Sequence, residues 1–454
     1  MVWAWFSERL RDPRLTPTHT LQMNRSIFRR ILLVSIMFSL TASLGFAAPL
    51  KDSEMWKQFR GNDGTAIAAG QKVPVNLGKE NLRWSVYLPG PGSSSPVIWG
   101  KRLFVTSENR EEGSVELVCL NAKSGKSIWS QRISTGSYHL HNFNNLASGT
   151  PCVTESRVVL GWYDDSTAHA MVSAYSHDGD VIWTQDLGQF DSQHGVSFNP
   201  VASGDRVIVG NMHMGGGSIV AYSLADGSLL WSRPNPVKTK TSYAAPLIRT
   251  LRGSDAKEVV IAGELIGLIG LDFATGKENW SLPQAFNHRT ITSPIIVKDD
   301  PATGDVLIAA GNKNGVYFAA RVPRISNGER VSEPAKVWSM ESRTPYVPTP
   351  AVVGDVVYAL HDGGTLSALD SSTGSVNWKG KLLGNFYASP VLVGDKLYCL
   401  SREGDMWVVE PGDEFKLLRT SSLNPPEDVT FCDATPAVAH NRLYVRMGSR
   451  LDCF

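Results

Sequence analysis

Leu369-Asp-Ser-Ser-Thr-Gly-Ser-Val-Asn-Trp378 decides the fold, because the same order of residue types returns along the chain. Cys119-Leu-Asn-Ala-Lys-Ser-Gly-Lys-Ser-Ile-Trp129, Ala221-Tyr-Ser-Leu-Ala-Asp-Gly-Ser-Leu-Leu-Trp231 and Leu271-Asp-Phe-Ala-Thr-Gly-Lys-Glu-Asn-Trp280 repeat it, and a shorter copy ends at Trp183. Each copy is an apolar run, a turn through Gly and a second run ending on Trp, which is how two strands joined by a tight hairpin read.

Upstream of these copies a small or polar residue followed by Pro recurs at Ser95-Pro96, Thr150-Pro151, Asn199-Pro200, Ala245-Pro246, Ser293-Pro294, Thr349-Pro350, Ser389-Pro390 and Thr435-Pro436. Each Pro opens a short apolar run, then a turn, then a second run such as Arg206-Val-Ile-Val209 or Lys396-Leu-Tyr-Cys399. The unit is four short strands in about 50 residues, the size of a propeller blade and not of a βαβ unit. Pro cannot donate to a ladder, so it places the first strand at an unpaired edge lining the axis. The flat face of Trp wedges against the neighbouring blade.

Two blades depart. Blade five replaces the turn by the longer stretch from Arg324 to Pro334 before Trp338, and blade seven has Phe415 and Leu417 where Trp is expected. After Pro436 only three strands fit, whereas Asn81-Leu-Arg-Trp-Ser-Val-Tyr-Leu88 is a lone fourth-strand sequence before the first marker. The expectation is an all-β, eight-bladed β-propeller of four-stranded antiparallel blades over residues 81–454, its last blade closed by N- and C-terminal strands. Residues 49–80 are expected to pack across one end, anchored by Trp56 and Phe59.

Residues 31–48, ILLVSIMFSLTASLGFAA, are the one long apolar run, preceded by Arg25, Arg29 and Arg30 and by a second methionine, Met23. Read from Met23, this is a secretory signal cleaved after Ala47; the rival is an uncleaved membrane anchor with the propeller still outside the cytoplasm. Residues 1–48 are therefore extension and signal, and the mature chain is expected in the periplasm or cell envelope. Lys+Arg 44 against Asp+Glu 43 leaves a net charge of +1, too little field to gather nucleic acid. Five cysteines without a CxxC or vicinal pair support neither a disulfide framework nor a zinc knuckle.

The blade motif Leu-Asp-x-x-Thr-Gly-x-x-x-Trp, over about residues 81–454, resembles the repeat of the pyrroloquinoline-quinone (PQQ) type β-propellers. Trp56-x-x-Phe-Arg-Gly61, Leu88-Pro-Gly-Pro-Gly-Ser-Ser-Ser-Pro96 and Phe190-Asp-Ser-Gln-His-Gly195 further resemble exported planctomycete-type members of unassigned activity. The quinoprotein dehydrogenases of the family clamp PQQ between a Trp and a ring of two adjacent cysteines and hold Ca²⁺ with Glu, Asn and a catalytic Asp. No two cysteines adjoin here and no stretch supplies the calcium set, so neither cofactor is expected. The family's non-catalytic outer-membrane assembly lipoproteins share the eight-blade layout, although no lipid-attachment cysteine follows the apolar run.

Loops from fourth to first strand and from second to third strand emerge on one face of a propeller. His139, His141, His169, His194, His213, His288 and His361 map there, with Arg289, Asp362 and Arg402. Three readings are open: polar loops alone, a funnel for a small ligand or anion, and metal ligation through His139-x-His141. His177 and His440 fall off this face and read as solvated. Gly215-Gly-Gly217 has no following helix, and no Gly-x-Ser-x-Gly elbow occurs, so phosphate cradling and serine hydrolysis lack support. The function expected is a non-catalytic binding or scaffold module for a protein partner or a polar envelope ligand, touching membrane only through residues 31–48 if uncleaved. The alternative is an enzyme, quinone- or metal-dependent, with its site in the funnel.

Overall fold

Every Pro marker is followed immediately by the first of a blade's own four strands, as at Val97–Trp99, Val201–Ser203 and Val391–Val393. The computed structural model describes residues 49–454 apart from 236–238, 301–305, 314, 324, 327–328, 331 and 428. The apolar run 31–48 lies outside the described residues, among which no helix is long and apolar enough to cross a membrane. The strands form eight antiparallel blades in chain order, and an added hairpin, Ile325–Ser326 with Glu329–Arg330, occupies the blade-five insertion. Blade eight takes Ala437–Ala439, Arg442–Met447 and Arg450–Cys453 from the C-terminus and Trp84–Tyr87 from the N-terminus, Trp84 opposite Cys453.

The blades are held by what lies between them. Buried clusters bridge neighbouring blades, for instance Val172 and Trp183 with Val207 and Val220, or Tyr358 and Leu366 with Leu397 and Val409. Trp is the wedge at these joints. Its Nε1–H donates to a carbonyl in the turn of the next blade: Trp84 to Ala122 at 3.3 Å, Trp129 to His177 at 2.9 Å, Trp231 to Phe273 at 3.1 Å and Trp338 to Ser371 at 2.9 Å. The turn glycine lies under the ring: a Cβ at Gly227 (φ 74°) or Gly374 (φ 71°) would stand 2.7 Å from Trp183 or Trp338. Gly is thus required there twice, for its left-handed backbone and for the space.

The blade-five insertion removes that turn, and Trp280 accordingly folds back over Gly270 of its own blade, its buried Nε1 without a partner among the described residues. Blade seven corrects the sequence reading. In each of the first six blades a register shift follows the pair that holds Trp; in blade seven the pair before the shift is Val408 and Arg419. Arg419, not Phe415 or Leu417, therefore takes the Trp position, its Nε donating to Asn76 Oδ1 at 3.1 Å. Phe415 instead packs in the receiving turn, 5.7 Å from Trp378 between centroids. Counting from the turn failed because this turn has its own length.

The N-terminal segment adds two short strands to the inner edges of the ring. Met55–Trp56 adds antiparallel to Ile98 and Trp99 in blade one, and Ile67–Ala68 adds parallel to Leu392 and Val393 in blade seven. Two of the inner edges are thus paired. Trp56 is 1% exposed. Arg60, equally buried, donates to the carbonyls of Gly64, Thr65, Thr349 and Pro350, the last two at 2.6 Å. Burial lowers its guanidinium to about 9, and the carbonyl dipoles stand in for a counter-ion.

The residue before each Pro has a role the sequence reading did not supply. In six of the eight blades its backbone N–H is satisfied by the next blade's side chain, as in Ser95 to Thr150 Oγ1 at 3.0 Å, Ser293 to Thr349 Oγ1 at 3.0 Å, Thr349 to Ser389 Oγ at 3.1 Å and Ser389 to Thr435 Oγ1 at 3.0 Å. Small polar side chains recur there because an inner-edge donor needs an acceptor.

Candidate functional site

Three residues before each marker Pro, the chain reaches the mouth of the axis. Blades one to three and eight contribute Ser93, Ser148, Ser197 and Asp433; blades four to seven contribute Tyr243, Ile291, Val347 and Tyr387. All eight line one cavity of about 220 Å³, floored by Phe59 of the axial segment and walled by His141, Phe143, His194, Arg289 and Tyr346. At these eight positions the lining is lopsided, short on one arc and bulky on the other. The three stretches that carried the finer resemblance converge here: Phe59 from the first, Ser93 and Ser95 from the second, His194 from the third.

Of the residues picked from sequence, His141, His194 and Arg289 line this cavity. The rings of His141 and His194 are 4.4 Å apart between centroids. Burial, then Arg289, His141, Lys313 and His139, lower His194 to about 4, so it is neutral at pH 7. The remaining picks lie outside the lining. His139 is exposed. His213, His288 and His361 turn Nδ1 back onto local backbone, accepting from Gly215 N–H at 3.1 Å, Arg289 N–H at 2.9 Å and Gly363 N–H at 2.9 Å. These imidazoles do in their turns what Asn or Asp does in an Asx-turn, and accepting at Nδ1 favours the neutral ring. Asp362 accepts from the N–H groups of Tyr346 at 2.9 Å and Val347 at 3.1 Å, holding the loop that carries both.

Arg402 is already committed. It makes a two-pronged pair with Asp433 at 2.7 and 3.0 Å, and its guanidinium carbon stands 3.6 Å from the ring centre of Phe431 and 3.9 Å from that of Tyr387. This clamp shapes the wall. His169 pairs with Asp186 at 2.7 Å on the outer part of blade two. His177 and His440 are half-buried and hydrogen-bonded, to Thr154 O at 2.8 Å and Gly100 O at 2.7 Å, which corrects their reading as merely solvated. The tyrosines, Phe143 and Asp433 were missed, although a residue three before each Pro is a signal that could have found three of them.

The cofactor set implied by the resemblance is tested by the donors present. The lining holds no cysteine and no tryptophan, and its one carboxylate, Asp433, is matched by Arg402. All five cysteines are buried in the blades and loops, unpaired, with thiols pushed up to about 12 by burial. These residues do not fit a quinone clamped with calcium. Among the described residues no group of three or more His, Cys, Asp or Glu is placed to hold a metal ion, so His139 and His141 gain no third ligand.

Comparison with known proteins places this geometry. A segment of the serine/threonine-protein kinase AfsK of Streptomyces griseus is 30% identical over 186 residues, covering 39% of this chain and 20% of that protein. The outer membrane protein assembly factor BamB of Yersinia pestis is 23% identical over 265 residues, 58% of this chain and 51% of that one. The chain thus spans a fifth to about half the length of these curated relatives. The crystal structure of BamB from Moraxella catarrhalis superposes with a TM-score of 0.54 at 16% identity, over 82% of this chain and 96% of that one, a likeness of fold. The family model described as outer membrane protein assembly factor BamB matches residues 52–254, 116–335 and 329–451, and the chain therefore belongs to this PQQ-type propeller family.

Proposed function

We propose that this chain is an exported, non-catalytic binding module that receives a protein partner or a polar cell-envelope ligand at the mouth of the propeller. The observation that carries the reading is the cavity: side chains from all eight blades meet there, and its one carboxylate, Asp433, is committed to Arg402 outside the lining. A preformed concavity with aromatic walls and a few polar groups is what recognition requires. The BamB relatives, named for outer-membrane assembly, support the scaffold side of the proposal. An enzyme in the funnel is the competing reading, and the close His141–His194 pair is the observation in its favour.

Reconstitution separates the two. Purified protein given PQQ and Ca²⁺ is expected to reduce dye with alcohols or aldoses no faster than a protein-free control. Quinone-dependent turnover that Arg289→Gln abolishes would replace the binding module by an oxidoreductase.

A further inference from the structure

Among the described residues five arginines are at most 8% exposed, and three have their charge answered by a carboxylate or a ring of carbonyls. Arg249 pairs with Glu258 at 2.7 Å, Arg402 with Asp433 at 2.7 Å, and Arg60 is ringed by carbonyls; Arg446 donates to Ser94 O at 3.2 Å, Ser94 Oγ at 2.7 Å and Gly448 O at 3.0 Å, its NH2 left without a partner inside the blade packing. Arg289, 5% exposed, is the one of the five that lines the cavity. Its NH2 donates to Gln193 Oε1 at 3.2 Å and its guanidinium meets the Tyr346 hydroxyl, but no carboxylate pairs with it among the described residues, and its buried Nε has no acceptor. A buried cation is costly unless paired.

The surroundings sharpen the deficit. Arg289 lines the cavity, and the charged groups felt by neighbouring His194 are Arg289 itself and Lys313, with His141 and His139 beside them. Asp433, the cavity's one carboxylate, is taken by Arg402. An anion entering this space therefore meets an unmatched guanidinium without a competing acid.

Shape narrows the anion. A single planar guanidinium matches a planar carboxylate through two parallel hydrogen bonds, whereas a phosphate dianion normally gathers more donors than this wall offers. Beside Arg289 the cavity presents the rings of Phe59, Phe143, Tyr243, Tyr346 and Tyr387. Its volume of about 220 Å³ exceeds the roughly 150 Å³ of an apolar cavity that takes up benzene, which leaves room for one ring and a carboxyl group. Resting on the reading of the mouth as a binding site, we propose that the cavity takes an aromatic carboxylate, its carboxyl group on Arg289 and its ring among the aromatic walls. The carboxylate belongs to a small free acid or to a chain ending in an aromatic residue.

Calorimetric titration of the full chain tests this with benzoate, benzamide, inorganic phosphate, and a tripeptide ending in Phe as free acid and as C-terminal amide. The expected result is that benzoate or the acid peptide binds at least tenfold more tightly than its amide, and that Arg289→Gln removes the difference while Arg289→Lys, which keeps the charge but not the fork, retains part of it. Tighter binding of benzoate assigns a free acid, and of the peptide a chain terminus. Melting curves of both variants establish that they are folded. Equal affinity for acid and amide, binding of phosphate only, no binding of either acid, or unchanged binding by folded Arg289→Gln would overturn the proposal. Loss of acid binding with partners still captured at the mouth would leave the binding module standing and remove only the carboxylate.

Discussion

Deletion of residues 440–454 is expected to abolish cooperative folding, not merely lower stability. It removes the second and third strands of blade eight and leaves Trp84–Tyr87 with nothing to pair. Leu443, Tyr444, Val445, Met447, Leu451, Cys453 and Phe454, all at most 3% exposed, leave a core cluster that joins blades seven, eight and one to the axial segment. At roughly 1.5–3 kcal/mol for each large side chain buried, that loss is as large as the about 5–15 kcal/mol by which a folded domain outlasts its unfolded chain. The ties to blade one go too: the Tyr444 hydroxyl donates to Ala122 O at 3.1 Å and Arg442 to Lys123 O at 2.7 Å. Far-UV dichroism on heating checks this. A truncated chain that melts cooperatively at the full-length temperature would show that the ring does not close through blade eight.

The second large effect is at the axis. Trp56→Ala should cost about 3–5 kcal/mol, the usual range for emptying a buried Trp site. Trp56 belongs to the same core cluster, pairs with Ile98 in blade one and covers Gly61, whose Cβ position lies 3.2 Å from the indole. The surrounding strands are tied on both sides and have little freedom to collapse into the vacancy. Urea unfolding with matched slopes reads the change. A cost below about 1 kcal/mol, the scale of an ordinary surface substitution, would mean that the segment rests on the ring without filling it.

What could be read from sequence was what is local. The Gly-to-Trp hairpins, the Pro markers and the split last blade are contiguous stretches with spacing that repeats, so eight copies reinforce one another. The axial segment was illegible for the opposite reason: its strands are two residues long and pair with Ile98, Trp99, Leu392 and Val393, far away in the chain. Arg60 carries no mark in the sequence of the carbonyls that enclose it. The loop histidines gathered on one face as residue types, but whether a histidine caps its own turn, as His361 does, or faces the cavity, as His194 does, depends on loop geometry. Arg402 looked like a ligand-ready cation until its partner Asp433, 31 residues on, was seen beside it.

The claim that the cavity mouth is the working surface is tested most directly by site-specific cross-linking in intact cells. Phe143 stands at the mouth, 49% exposed, and Leu229 on the outer strand of blade three, 56% exposed, so both tolerate a photo-reactive phenylalanine analogue. The account predicts discrete adducts from position 143, competed by a ligand of the cavity, and none from position 229. Adducts from position 229 in equal yield, or none from position 143, would contradict it.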